Sequence, residues 1–176
     1  MNIFFIHEDP IKAAKMQCDK HVVKMILESA QMLCTAHRMN DGKKMKVLSK
    51  NGRNISTWVV SGDSNDILYK SAHPNHPSTI WVRSAADNYQ WLYKHFVSLC
   101  KEYTFRYGRH HLSETKLLDY LAKCPENIAS GGTEVPLAMP DEFKELDKIN
   151  AYRRYYKHKK DTIDMRWTKR TQPEWI

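Results

Sequence analysis

The chain has 176 residues, 41% hydrophobic and 27% charged, with a net charge of +8 and a pI of about 9.3. This balance excludes a disordered or fibrous chain and fits one compact domain over 1–176 with its own core. The charge is uneven. Residues 38–53 set Arg38, Lys43, Lys44, Lys46, Lys50 and Arg53 against Asp41 alone, and residues 153–170 set eight Arg and Lys against Asp161 and Asp164. Two concentrated basic segments suit a polyphosphate partner, though they also suit a solvated face.

Asn2 to Ile6 reads as a short buried strand or an extended arm, too short for a signal or membrane span. Asp9-Pro10 looks like a helix start, and a helical pattern then runs to about Arg38. Val22, Ile26, Ala30 and Leu33 form its apolar stripe, widened by Val23, Leu27 and Cys34. His21, Lys24, Glu28, Gln31 and Thr35 line a second, polar face. Residues 40–57 read as a basic loop or small β-hairpin, with turn signals at Asn40-Asp41-Gly42 and Lys50-Asn51-Gly52. A short helix begins at Asp63 or Ser64.

The prolines of His73-Pro74-Asn75-His76-Pro77-Ser78 rule out helix there. Ser78 is the expected cap of a long central helix from Thr79 to about Tyr107, with Ala85, Tyr89, Leu92, Phe96, Leu99 and Tyr103 inward and Gly108 ending it. Ser113 starts a short helix. Residues 125–140 are loop, and helix resumes near Asp141. The last helix has Tyr152 and Tyr156 on its apolar side and basic residues opposite, followed by a basic aromatic tail over 161–176. The fold class is mostly α.

His21 and Glu28 stand seven residues apart. Two helical turns put them on one face, about 10 Å apart along the axis. Beside Lys20 and Lys24 they could serve acid/base chemistry on an anionic substrate, or simply decorate a surface helix. His73 and His76 share an H-x-x-H spacing without further ligands, so neither a metal nor a cofactor is expected. That loop could offer His73, Asn75 and His76 to a phosphate, or be a plain rigid turn. No G-x-S-x-G, P-loop or G-x-G-x-x-G pattern occurs. Cys18, Cys34, Cys100 and Cys124 have no CxxC spacing and read as reduced structural thiols of a soluble cytoplasmic protein. Tyr152-Arg153-Arg154-Tyr155-Tyr156-Lys157 is the best nucleic-acid signal: Arg153, Arg154 and Lys157 for phosphates, Tyr155 free to stack. Lys20, Lys24 and Arg38 join this set.

Together these pieces resemble the pyrimidine-dimer DNA glycosylases of the phage endonuclease V type. The matching positions are His21 and Glu28 in Asp19-Lys20-His21…Glu28, the long central helix, and Tyr152 to Lys157; residues 40–72 have no named counterpart. The chain is also similar to a group of phage proteins, which suggests an infected bacterial cell as its setting. The resemblance implies imine chemistry: the N-terminal α-amine attacks C1′ of a damaged pyrimidine nucleotide, a Schiff base forms, and β-elimination cuts the strand. Glu28 would manage protons and His21 would orient groups, with DNA as the partner and a monomer as the working unit. The family removes Met1; Asn2 is large for that step, so the amine would belong to Met1 or, if processed, to Asn2. Ile3, Leu27 and Gln31 stand where the family has basic residues. That departure implies another modified base or a free nucleotide as alternative substrates, or a non-catalytic DNA-binding protein on the same scaffold.

Overall fold

A computed structural model describes residues 1–49 and 51–176, and the fold is mostly α. The N-terminal segment is an extended arm, with Asn2, Ile3, Phe4 and Ile6 all buried. Phe4 takes a left-handed φ of 46°, and the Ile6 amide donates to the Phe4 carbonyl at 2.7 Å. The arm thus turns on itself instead of pairing as a strand.

Helices α1 (Pro10–Met16) and α2 (Asp19–Asp41) replace the single helix expected from Asp9. Asp9 caps α1 as expected, accepting from the Ile11 and Lys12 amides. The break at Gln17 and Cys18 has tertiary causes. The Arg106 guanidinium donates to the carbonyls of Gln17 at 2.9 Å and Lys15 at 3.1 Å, and the Cys18 amide donates to the Tyr156 hydroxyl at 2.8 Å. These partners satisfy backbone groups that a continuous helix would have paired.

A hairpin follows, β1 (Lys43–Leu48) antiparallel to β2 (Asn54–Val59), with Lys43 opposite Val59 and Leu48 opposite Asn54. Lys50, expected in its turn and its basic segment, lies outside the described residues. Gly42 joins helix to hairpin where nothing larger fits: a Cβ there would lie 2.4 Å from the Arg38 carbonyl oxygen and 2.9 Å from that of Val59. Helix α3 (Ser64–Ile67) follows.

The long central helix is also divided, into α4 (Pro77–Ser84) and α5 (Ala86–Tyr107). His76, rather than Ser78, caps α4, its Nδ1 accepting from the Ser78 amide at 3.2 Å. At Ala85 the backbone is extended, because the Ala86 and Asp87 amides donate instead to the carbonyls of Ala129 and Gly131. Gly108 ends α5 in the left-handed conformation. Helix α6 (Leu112–Leu121) comes next. Then α7 (Lys148–His158) begins later than expected, at its Asp147 cap, after a lone turn of 3-10 helix over Asp141–Phe143.

Helix α2 packs on α4 and α5, and α1 packs on α5. Tyr89, Leu92, Phe96 and Leu99 are fully buried between them, as are Val22, Ile26, Ala30, Leu33 and Cys34 of α2. Val23 and Leu27 are not part of that stripe; they are 38% and 42% exposed. Leu27 lies about 120° around the helix from the Val22, Ile26 and Leu33 line, on the open side, whereas Val23 shares its azimuth with the buried Ala30 and Cys34 and is exposed by its place along the helix. Among the described residues, no helix is long and apolar enough to cross a membrane.

Candidate active site

The N-terminal arm ends against the middle of α2. Glu28 Oε2 accepts from the Asn2 amide at 3.0 Å and lies 3.9 Å from the α-nitrogen of Met1. Its other oxygen lies 3.4 Å from the exposed Lys24 ammonium. The Glu28 side chain is 13% exposed, so it is enclosed but reachable.

Each of the first residues is held separately. The Met1 side chain is only 2% exposed, and its sulfur accepts from Thr79 Oγ1 at 3.4 Å. Met1 as a whole is partly exposed, so what faces outward is its backbone and amino end. Asn2 is buried; its Nδ2 donates to the Ala138 carbonyl at 2.8 Å and its Oδ1 accepts from the Phe4 amide at 2.8 Å. Thus α4, the 133–139 loop and α2 together fix the amino end beside a carboxylate.

His21 acts further along the arm. Its ring lies 4.7 Å from that of Phe4 and 4.9 Å from that of Tyr156. Burial, seconded by Lys24 and Lys159, pushes its pKa down to about 4, so the imidazole is neutral near pH 7. Glu28 therefore meets residues 1 and 2, whereas His21 packs on residue 4. The two expected partners hold one arm at two points.

The proline loop lies at the same end. His73 has a left-handed φ of 45°, and His73 and Asn75 are exposed. Burial, then the neighbouring N-terminal charge and His73, depress the His76 pKa, while Glu28 acts the other way. His76 thus sits within the field of the amine and Glu28. Because its own Nδ1 caps α4, that helix end is already partly satisfied.

The C-terminal candidates divide. Arg153 Nε donates to the Ile6 carbonyl at 3.0 Å, and its guanidinium lies over Trp175. It therefore braces the arm. Tyr155, expected to be free, is half-buried beside Phe143 and Phe4, with Lys159 Nζ 4.2 Å from its ring centre. Arg154 is exposed near Glu145, and Lys157 and Lys20 are exposed. Arg38 is buried, its guanidinium donating to the carbonyls of Trp58, Asn65, Leu68 and Tyr69 and to Asn65 Oδ1. That set leaves it as a brace between α2, the hairpin and residues 65–69 and takes it off the nucleic-acid surface.

Thr79 and the Ala138 carbonyl belong to the site and were not anticipated. They lie 78 and 136 residues from their N-terminal partners, and no local pattern marks them. Among the described residues, no three His, Cys, Asp or Glu side chains gather closely enough to hold a metal ion.

An amine held against a carboxylate, at the edge of an exposed face carrying Lys20 and Lys24, can act as a nucleophile with a proton acceptor beside it. A family model described as pyrimidine dimer DNA glycosylase matches residues 1–115. The match takes in the arm, α2 with Glu28, the proline loop and α5. It runs through residues 40–72 and stops before α7. No curated protein and no solved structure matches the chain. A family match over well more than half of the sequence, including the segment that holds the amine against Glu28, places this chain in the pyrimidine dimer DNA glycosylase family, whose substrate is DNA.

Proposed function

We propose that the protein excises a damaged pyrimidine from duplex DNA, using its N-terminal α-amine as nucleophile and Glu28 as the proton-handling carboxylate, and that it then cuts the strand as a lyase. The observation that carries this reading is the position of Glu28 Oε2, within 3.9 Å of the Met1 nitrogen and 3.0 Å of the Asn2 nitrogen.

In this reading the neutral amine attacks C1′ and the glycosidic bond breaks, its electron pair leaving on the base, which is then protonated. The nitrogen passes a proton to Glu28. Ring opening places that proton on O4′ and gives the C1′ imine. Loss of a C2′ proton then expels the 3′ phosphate. The target base must leave the stack for C1′ to be approached. Lys20, Lys24 and Lys157 are the cations we assign to phosphates, because they are exposed; Arg154, beside Glu145, is a weaker member of the set. His73 and Asn75 are assigned to the same DNA face. His21 and Arg153 are assigned to holding the arm.

The nucleophile is either of two residues. With Met1 retained, its amine is the accessible end and its side chain is anchored under Thr79. With Met1 removed, the Asn2 nitrogen would become the amine, already at 3.0 Å from Glu28. A large Asn2 side chain and a built seat for Met1 favour the retained residue.

The direct test is a duplex carrying one cyclobutane pyrimidine dimer, assayed alongside duplexes with other modified pyrimidines. On the dimer the expected result is scission of one glycosidic bond, the base staying tethered to its neighbour through the cyclobutane ring, followed by strand cleavage, by the wild type and neither by Glu28→Gln. Equal activity of that variant would overturn the assignment of Glu28.

A further inference from the structure

We propose that the β1–β2 hairpin is a second DNA-contacting element, gripping phosphates of the duplex to one side of the lesion. The inference rests on the DNA-repair reading above and adds an interface away from Glu28.

The hairpin carries concentrated positive charge and no opposing charge. Lys43, Lys44, Lys46 and Arg53 are all exposed, and no acidic residue occurs between Asp41 and Asp63. Strand alternation puts Lys44 and Lys46 on one face, opposite Trp58 and Ser56. The other face, with Val47, Ile55, Thr57 and Val59, looks onto a cavity of about 410 Å³ shared with Asp66 and Lys70, which Trp58 and Leu48 reach from the edges of the Lys44 and Lys46 face. Lys44 and Lys46 do not line that cavity and are exposed on one face, so they are open to a partner, with Lys43 exposed at the hairpin's base and Arg53 at its turn.

The base of the hairpin is held by buried or part-buried bonds on the site's side of α2. Arg38 bonds to the Trp58 carbonyl and to residues 65–69, and Gly42 allows backbone contact that any side chain would block. Arg38 lies eleven residues after Leu27 and seven after Gln31, within about 20° of each around α2. The base of the hairpin thus stands on the same helix face that Lys20, Lys24 and Leu27 present beside Glu28. Thirteen residues of helix separate Glu28 from Asp41, about 20 Å. A six-residue strand adds up to about 20 Å more. With α2 and the hairpin running along the duplex, 3.4 Å per step would put the hairpin cations about 6–12 base pairs from the reacting nucleotide.

Met45, Leu48 and Ile55 are also exposed, so a protein or a second copy of the chain is the competing occupant. The unopposed cations favour phosphates, because each one neutralised releases counterions.

The test uses the full chain with Lys43, Lys44, Lys46 and Arg53 all changed to Gln. A charge-matched control changes Lys12, Lys94, Lys101 and Lys123, which are exposed on α1, on α5 and after α6. Binding is measured against salt on an undamaged duplex of about 30 base pairs, and, in a Glu28→Gln background that holds the lesion unprocessed, on duplexes carrying one dimer with long flanks or with about 4 base pairs left on one flank or on both. The hairpin variant should lose about 2–4 from the salt slope on the long duplex, where the control loses clearly less. Trimming one particular flank should erase the difference between variant and wild type. Equal binding of variant and wild type to the long duplex would overturn the proposal, as would a loss that persists with both flanks trimmed or concentration-dependent self-association without any change in DNA affinity. Failure of the Glu28 mechanism would look different: no lesion would be processed, yet the hairpin variant's loss of salt slope on the long undamaged duplex would remain.

Discussion

Glu28 accepts a hydrogen bond from the Asn2 amide while standing 3.9 Å from the Met1 amine. One carboxylate oxygen therefore registers the whole N-terminal arm against α2. Glu28→Gln keeps an acceptor for the Asn2 amide, and it loses a Lys24 pair worth only about 0.3–0.5 kcal/mol. Base excision should fall by about 10²-fold or more with the melting temperature nearly unchanged. Loss of activity accompanied by a matching loss of stability would make Glu28 a structural clamp.

His21 makes stability depend on pH. Its pKa is about 4 in the folded chain and near 6.5 when unfolded. Between these values the unfolded chain binds a proton that the folded chain does not, so stability is complete above about pH 6.5 and declines toward pH 4. The loss is at most about 3 kcal/mol. His95, fully buried and also near 4, acts in the same direction. Denaturant midpoints measured from pH 7.5 to 4.5 should fall for the wild type and fall less steeply for His21→Phe. An unchanged slope in that variant would contradict the assignment.

Glu102 should be a stability residue rather than a site residue. It accepts from Arg106, whose side chain is fully buried, and from Arg170 of the C-terminal tail. Arg106 in turn donates to Asp19 and forms the α1–α2 break. Glu102→Gln leaves a buried guanidinium short of its counter-ion and should cost about 3 kcal/mol or more. Urea unfolding measures it; a change below about 1 kcal/mol would show that Asp19 alone suffices.

Arg38 should hold the hairpin. Arg38→Met removes five hydrogen bonds to residues 58–69 while keeping an apolar stem. Hydrogen exchange should rise in β1, β2 and residues 65–69 while α5 stays protected. Unchanged exchange across the hairpin would show that Gly42 and the strand pairing hold it without Arg38.

Much of this was legible in the sequence where the physics is local. The Asp9-Pro10 start, the Gly108 stop, the α5 core residues and the hairpin turn at Asn51-Gly52 follow from capping, periodicity and turn chemistry, whereas Asn40 and Asp41, expected in a turn, end α2. So did Glu28, through its spacing from His21. What local pattern could not supply was tertiary. Arg106 divides α1 from α2, and the 129–131 carbonyls divide α4 from α5, from far away in the chain. Arg38 and Arg153 read as phosphate ligands because both lie in basic segments, yet carbonyls of residues 58–69 take the Arg38 guanidinium and the Ile6 carbonyl takes Arg153 Nε. Tyr155 read as a free stacking surface because nothing in its own helix reveals Phe143 and Phe4 beside it. Val23 and Leu27 read as core because they are apolar; helical geometry puts Leu27 on the open face, while Val23 shares an azimuth with the buried Ala30 and Cys34 and is left exposed by its tertiary surroundings.

The central claim is that the amine beside Glu28 forms the bond to DNA. Borohydride reduces an imine to a stable link, so wild-type protein reacted with a dimer-containing duplex and borohydride should become covalently attached. Peptide mapping should place the DNA on the α-nitrogen of Met1, or on that of Asn2 should intact mass show Met1 removed. Attachment to an internal lysine such as Lys20 or Lys24, or turnover without any attachment, would contradict the account.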